Sequence, residues 1–120
     1  MKTETAITSD LVKELRDSFY AMVLSIHGHN MQLSGWPDLY ISHWKFNGWI
    51  ECKGAKTSVE PLQRKIIREL KKRGEKVFIL RFTLPKVYSL RNHTEEIVIK
   101  DIYGTPKEAA GRLLDELSSY

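Results

Sequence analysis

The segment GWPDLYISHWKFNGWIECKG, residues 35–54, holds the chain's densest set of chemically capable side chains. Asp38 opens an alternating run in which Leu39, Ile41 and His43 point one way and Asp38, Tyr40 and Ser42 the other, as in a strand. Asn47-Gly48 is a hairpin signal, so Trp49 to Lys53 is expected to return beside that run as its antiparallel partner. Glu51 and Lys53 then share one face of the second strand and Cys52 takes the other. Paired strands lie about 4.8 Å apart, which brings Asp38 close to Glu51. Two carboxylates at that range repel unless a divalent cation lies between them or one is protonated. Mg²⁺ or Mn²⁺ suits such oxygen ligands, and the backbone carbonyl of Cys52 offers another. Lys53 alongside would stabilise charge on a phosphate or orient an attacking water. The chemistry this implies is metal-assisted hydrolysis of a phosphodiester.

The elements that would hold these groups are legible on both sides. Thr8, Ser9 and Asp10 offer N-cap side chains for a first helix over about residues 9–20, with Leu11, Leu15 and Phe19 on its apolar stripe. Ala21 to Ile26 reads as a short strand, and residues 27–35 (HGHNMQLSG) as a loop. Ser58 is placed to cap a second helix that tolerates Pro61 in its first turn and stops at Gly74. On that helix Gln63 precedes Ile66, Ile67 and Leu70 by three, four and seven positions, so it lies on or beside the inward stripe. A buried amide there calls for a hydrogen-bond partner, either within a site or at the edge of the core. Val77 to Phe82 is a nearly continuous apolar run, as in a strand covered on both faces. Pro85 and the RNHT stretch read as loop, Glu96 to Tyr103 as one further strand. Thr105-Pro106-Lys107-Glu108 is a capping box opening a last helix striped with Ala110, Leu113, Leu114 and Leu117. The order predicts an α/β or α+β fold, a mixed central sheet flanked by helices.

At 120 residues, with 42% hydrophobic and 28% charged, the chain suits one domain spanning residues 1–120 and is not expected to be disordered. Its single cysteine excludes an intramolecular disulfide and a cysteine-based zinc site, and points to a reducing, intracellular setting. No signal peptide or membrane-length apolar run is evident. The formal net charge is +4, but Lys53 to Lys76 carries nine basic and three acidic residues, a local +6. Lys56, Arg64 and Lys65 lie nearest the expected site and read as contacts to a nucleic-acid backbone; the plain alternative is a solvated helix face. Trp36 beside Pro37 offers either core packing or a surface for stacking on bases. His27 and His29 read as part of a DNA-contacting loop rather than as metal ligands.

Gly-x-Pro-Asp-Leu on a strand, then Glu-Cys-Lys-Gly, then Gln63 on a helix closing at Gly74, then the strand Val77 to Arg81, resembles a PD-(D/E)XK nuclease. More closely, it resembles the VRR-NUC family, with its small stand-alone phage and bacterial members. The resemblance covers about residues 10–82 and leaves residues 83–120 as a C-terminal strand and helix extension. It implies a restriction-endonuclease-like core whose β-hairpin carries the site. It implies a Mg²⁺- or Mn²⁺-dependent DNA endonuclease selective for branched or junction DNA, as in Holliday junction resolvases. Asp38 and Glu51 would be metal ligands, Lys53 the catalytic lysine and Gln63 the helix glutamine of the site. Glu14 is the candidate for the acidic residue that such nucleases often add from the first helix. The resemblance also implies a homodimer, for which residues 83–120 are one candidate surface. It implies a cytoplasmic setting, the host's if phage-encoded, and involves neither a membrane nor an organic cofactor. Two other readings stay open: a non-catalytic basic module that binds DNA or a protein partner, and a nuclease subunit that needs a helicase.

Overall fold

Val77 to Leu84 is the strand on which the fold is built, because its two faces are covered by different helices. A computed structural model describes residues 4–26, 34–84 and 87–120. In chain order the elements are α1 (Glu4–Asp17), β1 (Met22–Ser25), β2 (Leu39–Ser42), β3 (Asn47–Gly54), α2 (Pro61–Lys72), β4 (Val77–Leu84), β5 (Val87–Arg91), β6 (Ile97–Tyr103) and α3 (Pro106–Leu117). The fold is mixed α/β: among the described residues, one six-stranded sheet in sequential order β1 to β6, with three helices. Every neighbouring pair is antiparallel except β3 and β4, which run parallel with α2 as the crossover between them.

Strand alternation sorts the core into two layers. On one face Ile41, Ile50, Cys52, Phe78, Leu80, Tyr88 and Leu90 pack with Leu11 and Leu15 of α1 and with Leu113, Leu114 and Leu117 of α3. On the other, Val77 and Ile79 pack with Ile67 and Leu70 of α2, joined by Trp36 and Trp49. Burying such apolar surface supplies most of the drive to fold. Glu51, Lys53 and Arg81 fall on the α2 face, where only one short helix covers the sheet.

Several boundaries differ from expectation, each for a local reason. The first helix begins at Glu4, so Thr8, Ser9 and Asp10 lie inside it rather than capping it. Glu60, not Ser58, caps α2: its side chain meets the N3 backbone, and the Gln63 side chain accepts from the Glu60 N–H at 2.9 Å. At the other end Gly74, at φ +86°, closes α2 in a Schellman motif, with Glu75 N–H donating to Leu70 O and Gly74 N–H to Lys71 O. The hairpin turn is His43 to Phe46, and Asn47-Gly48 belongs to β3. Gly48 answers a packing need instead: a Cβ there would sit 2.5 Å from Phe46 Cζ and 2.8 Å from the Lys76 carbonyl.

Residues 83–120 are not an appendage. They contain two strands, β5 and β6, where one was expected. The stripe Ala110, Leu113, Leu114 and Leu117 is buried against α1 of the same chain, which removes it as a dimer surface. The expected capping box is present, with Thr105 Oγ1 accepting from Glu108 N–H and Glu108 Oε1 from Thr105 N–H. Among the described residues no helix is long and apolar enough to cross a membrane.

Candidate active site

The site forms where β3 outruns β2. Pairing of these strands stops at Leu39 and Ile50, so the next residue of β3, Glu51, meets the residue before β2, Asp38. The contact is two-way. Asp38 N–H donates to Glu51 Oε1 at 3.2 Å, and the Asp38 carboxylate accepts from Cys52 N–H at 2.8 Å through Oδ2. That second bond takes the place of a ladder hydrogen bond at the strand end and fixes the Asp38 carboxylate beside the edge of β3. The carbonyl of Cys52 leaves the strand on the same side as its N–H, toward Asp38.

Glu51 is 1% exposed, and Lys53 is 7% exposed two residues on, both on the α2 face. Lys53 Nζ lies 3.5 Å from Glu51 Oε2. Gln63 Nε2 donates to that same oxygen at 2.5 Å. Gln63 therefore spans two jobs: its Oε1 closes the capping box of α2, and its Nε2 holds Glu51. The cap orients the amide, because only its oxygen can accept from Glu60 N–H. One side chain thus ties the start of α2 to the end of β3.

Burial pushes the Glu51 carboxyl up to about 9, helped by the Asp38 carboxylate, which repels a second charge and accepts a hydrogen bond from the protonated form. Lys53 and the Asp38 N–H oppose that rise without reversing it. At neutral pH Glu51 accordingly keeps its proton in the absence of a cation, the second of the two ways to relieve a close carboxylate pair. A buried carboxyl that must surrender a proton to gain an ion, set among oxygen donors, fits a hard divalent cation held by Asp38 and Glu51.

Arg81, which sequence reasoning passed over, organises the rim. It pairs with Lys53 in the β3–β4 register and shares its face. Its Nη1 donates to Gly54 O at 2.9 Å and Thr57 O at 2.6 Å, and its Nε and Nη2 engage Glu95 Oε1 at 3.0 and 2.5 Å. The loop following Lys53 is thereby fastened to β4. The readable signal was an arginine inside an otherwise apolar strand, since a buried guanidinium needs acceptors.

Lys56 is exposed on the β3–α2 loop, and Arg64 and Lys65 are exposed on α2, with Arg64 Nε donating to Val59 O at 3.1 Å. Trp36 is half-buried against Trp49, centroids 5.4 Å apart, so it packs as part of the α2-side core rather than standing free. Glu14 is not brought to the pair: α1 packs on the opposite face of the sheet, and the Glu14 carboxylate accepts from Ser18 Oγ at 2.5 Å. Among the described residues no third Asp, Glu, His or Cys side chain joins Asp38 and Glu51. His27 and His29 lie outside the described residues.

Asp38, Glu51, Lys53 and Gln63 thus converge at the C-terminal end of a parallel strand, the usual place for a site in an open α/β sheet. Neither the protein-family models nor the curated proteins contain a match to the chain.

Proposed function

We propose that the protein is a metal-dependent DNA endonuclease of the VRR-NUC type, with a restriction-endonuclease-like core, selective for branched DNA and acting as a homodimer. The observation that carries this reading is the Asp38–Glu51 pair, in which Glu51 is buried and Asp38 half-buried, with Lys53 beside it and Gln63 fixing it. The fold assignment is supported by the run α1-β1-β2-β3-α2-β4, with an antiparallel meander joined through α2 to one parallel strand. Asp38, Glu51 and the Cys52 carbonyl would hold Mg²⁺ or Mn²⁺, which when bound supplies Lewis-acid stabilisation of the scissile phosphate and a more acidic water. The chain's own groups do the rest. Lys53 places a positive charge where the phosphorane builds negative charge, inside a site too buried for water to screen it. Gln63 keeps Glu51 Oε2 in place, and Cys52 N–H does the same for Asp38 Oδ2. The basic face of α2 draws in the phosphodiester backbone.

The test is a panel of four-way junction, flap and linear duplex DNA incubated with Mg²⁺, Mn²⁺ or EDTA. Cleavage of the junction that needs the cation and disappears in Asp38→Asn is expected. Cleavage that survives Asp38→Asn would refute the metal mechanism at this pair, and salt-sensitive binding without any cation-dependent cleavage would leave only a binding module. Size-exclusion chromatography with light scattering reads the homodimer directly.

A further inference from the structure

One strand away from the carboxylate pair, the same sheet face carries cations that the cleavage chemistry does not use. Ile79 of β4 sits beside Glu51 in register, and Arg91 of β5 sits beside Ile79. Over Ile79 opens a cavity of about 280 Å³, walled by Arg64 and Arg68 of α2 and by His93, Thr94 and Glu95 of the β5–β6 turn. Adjacent strands are about 4.8 Å apart, so the cavity begins one strand spacing from Glu51. That offset is of the order of the separation between neighbouring phosphates on one nucleic-acid strand.

The charges around this cavity are out of balance. Arg64 and Arg68 are four residues apart and project from one side of the helix, an arrangement that repels in the absence of an anion. Arg64 is steadied by its bond to the Val59 carbonyl, but Arg68 has no hydrogen-bond or ion-pair partner among the described residues. Glu95, the carboxylate in the wall, is already engaged by Arg81 through Oε1. His93 is held below its ordinary pKa by partial burial and by Lys71, against a smaller opposing pull from Glu96. On β5, in register with the Ile79 that lines the cavity, the Nε of Arg91 is buried with no hydrogen-bond partner among the described residues. Guanidinium donors left unpaired beside a cavity match an oxyanion that accepts several hydrogen bonds at once.

We propose that this cavity is a phosphate subsite. It receives a phosphate group of the bound strand next to the one addressed by Asp38 and Glu51, and so sets where the strand lies over the carboxylates. The proposal rests on the nuclease reading for its ligand but not for its readout. The phosphate is either a backbone diester or a terminal monoester; the two share the recognition chemistry.

The experiment measures binding of a fluorescent four-way junction by anisotropy in EDTA, for the wild type and for Arg68→Gln and His93→Gln, both surface changes. One set of junctions carries a single neutral methylphosphonate at successive backbone positions. A second set carries or lacks a terminal phosphate. A neutral group at one position should weaken wild-type binding about tenfold, the worth of one charge-assisted contact. The same change should cost the Arg68→Gln protein little, since that contact is already gone. Coupling at an internal position identifies a backbone diester, and coupling only at the end identifies a terminal phosphate; either supports the subsite. Losses that multiply independently at every position, with no coupling to Arg68 or His93, would overturn it. Because the readout is metal-free binding, a protein that binds with this coupling but never cleaves would refute the nuclease reading and leave the subsite standing.

Discussion

Replacing Glu51 by Gln should stabilise the metal-free protein while abolishing its response to divalent cations. Glu51 keeps its proton in the folded chain up to about pH 9, against an ordinary value of 4.5. Below pH 4.5 both folded and unfolded chains hold this proton, and the group contributes its full stability. Between 4.5 and about 9 only the folded chain holds it, so stability falls as pH rises. At pH 7 the gap is 2.5 pH units, about 3 kcal/mol at 1.36 kcal/mol per unit. Gln has no proton to lose and recovers that amount. It also places an NH₂ where Glu51 accepts either from Asp38 N–H or from Gln63, which forfeits one hydrogen bond, about 1 kcal/mol. The net expectation is about 2 kcal/mol at pH 7, or roughly 8 °C in Tm for a chain of this size. Thermal unfolding by circular dichroism in EDTA, from pH 5 to 9, should show the wild type losing stability and Glu51→Gln staying nearly level. Mg²⁺ or Mn²⁺ at pH 7.5 should then raise the wild-type Tm and release about one proton, detectable with a pH indicator in weak buffer. The variant should do neither. A flat wild-type profile, or a variant less stable than wild type at pH 8, would refute the argument that Glu51 is buried with its proton.

Other positions give narrower tests. Gln63→Ala removes both the Glu51 contact and the α2 cap; stability should fall by about 1–2 kcal/mol, and the Mg²⁺ dependence of cleavage should shift to higher concentration. Arg81→Met should cost about 3 kcal/mol and free the 55–58 loop, seen as faster hydrogen exchange there, because Glu95 and the Gly54 and Thr57 carbonyls lose their donor. Gly48→Ala should destabilise by about 1–3 kcal/mol in urea titration, since the new methyl meets the Lys76 carbonyl as well as the Phe46 ring. Leu113→Ala should cost about 2–5 kcal/mol in the same titration, a value that an appended, non-core α3 would not show.

The parts of the fold that could be read ahead were those with a clean period. The alternation from Asp38 to His43 and the Glu51-Cys52-Lys53 triplet fix which side chains share a face, so the pairing of Glu51 with Lys53 follows from strand geometry alone, whereas the meeting of Asp38 with Glu51 depends on the turn falling at His43 to Phe46. The positions of Gln63, Ile67 and Leu70 give the inward stripe of α2 in the same way. What failed was punctuation. Three cap-type residues in a row, Thr8, Ser9 and Asp10, sit inside α1, because packing of Leu11 and Leu15 on the sheet outweighs their local preference to start a helix. Asn47-Gly48 is read as a turn by local rules, while the Phe46 ring and the Lys76 carbonyl demand a missing side chain there.

The strand that escaped, β5, shows why polar residues on a buried face mislead. Tyr88 and Leu90 face the α1–α3 core, but Ser89 and Arg91 face α2, so Val-Tyr-Ser-Leu, set between Pro85 and the RNHT stretch, does not stand out as a strand. Those polar residues lie there because the α2 face carries, beside the apolar patch of Val77 and Ile79, a polar band from Glu51 and Lys53 across Arg81 to Ser89 and Arg91, all roofed by one helix. The opposite face is apolar from α1 to α3. A sheet built only for stability would cover both faces alike, since unpaired buried charge is costly. Concentrating that charge on one face, and at the end of the parallel pair, leaves the chain with donors and a proton-bearing carboxyl that a polyanion and a cation would satisfy together. Arg81 is the joint of this arrangement: it neutralises Glu95 on the cavity side and holds the Gly54–Thr57 loop on the carboxylate side. The same guanidinium therefore shapes both walls, and its loss should disturb the carboxylate site and the cavity together.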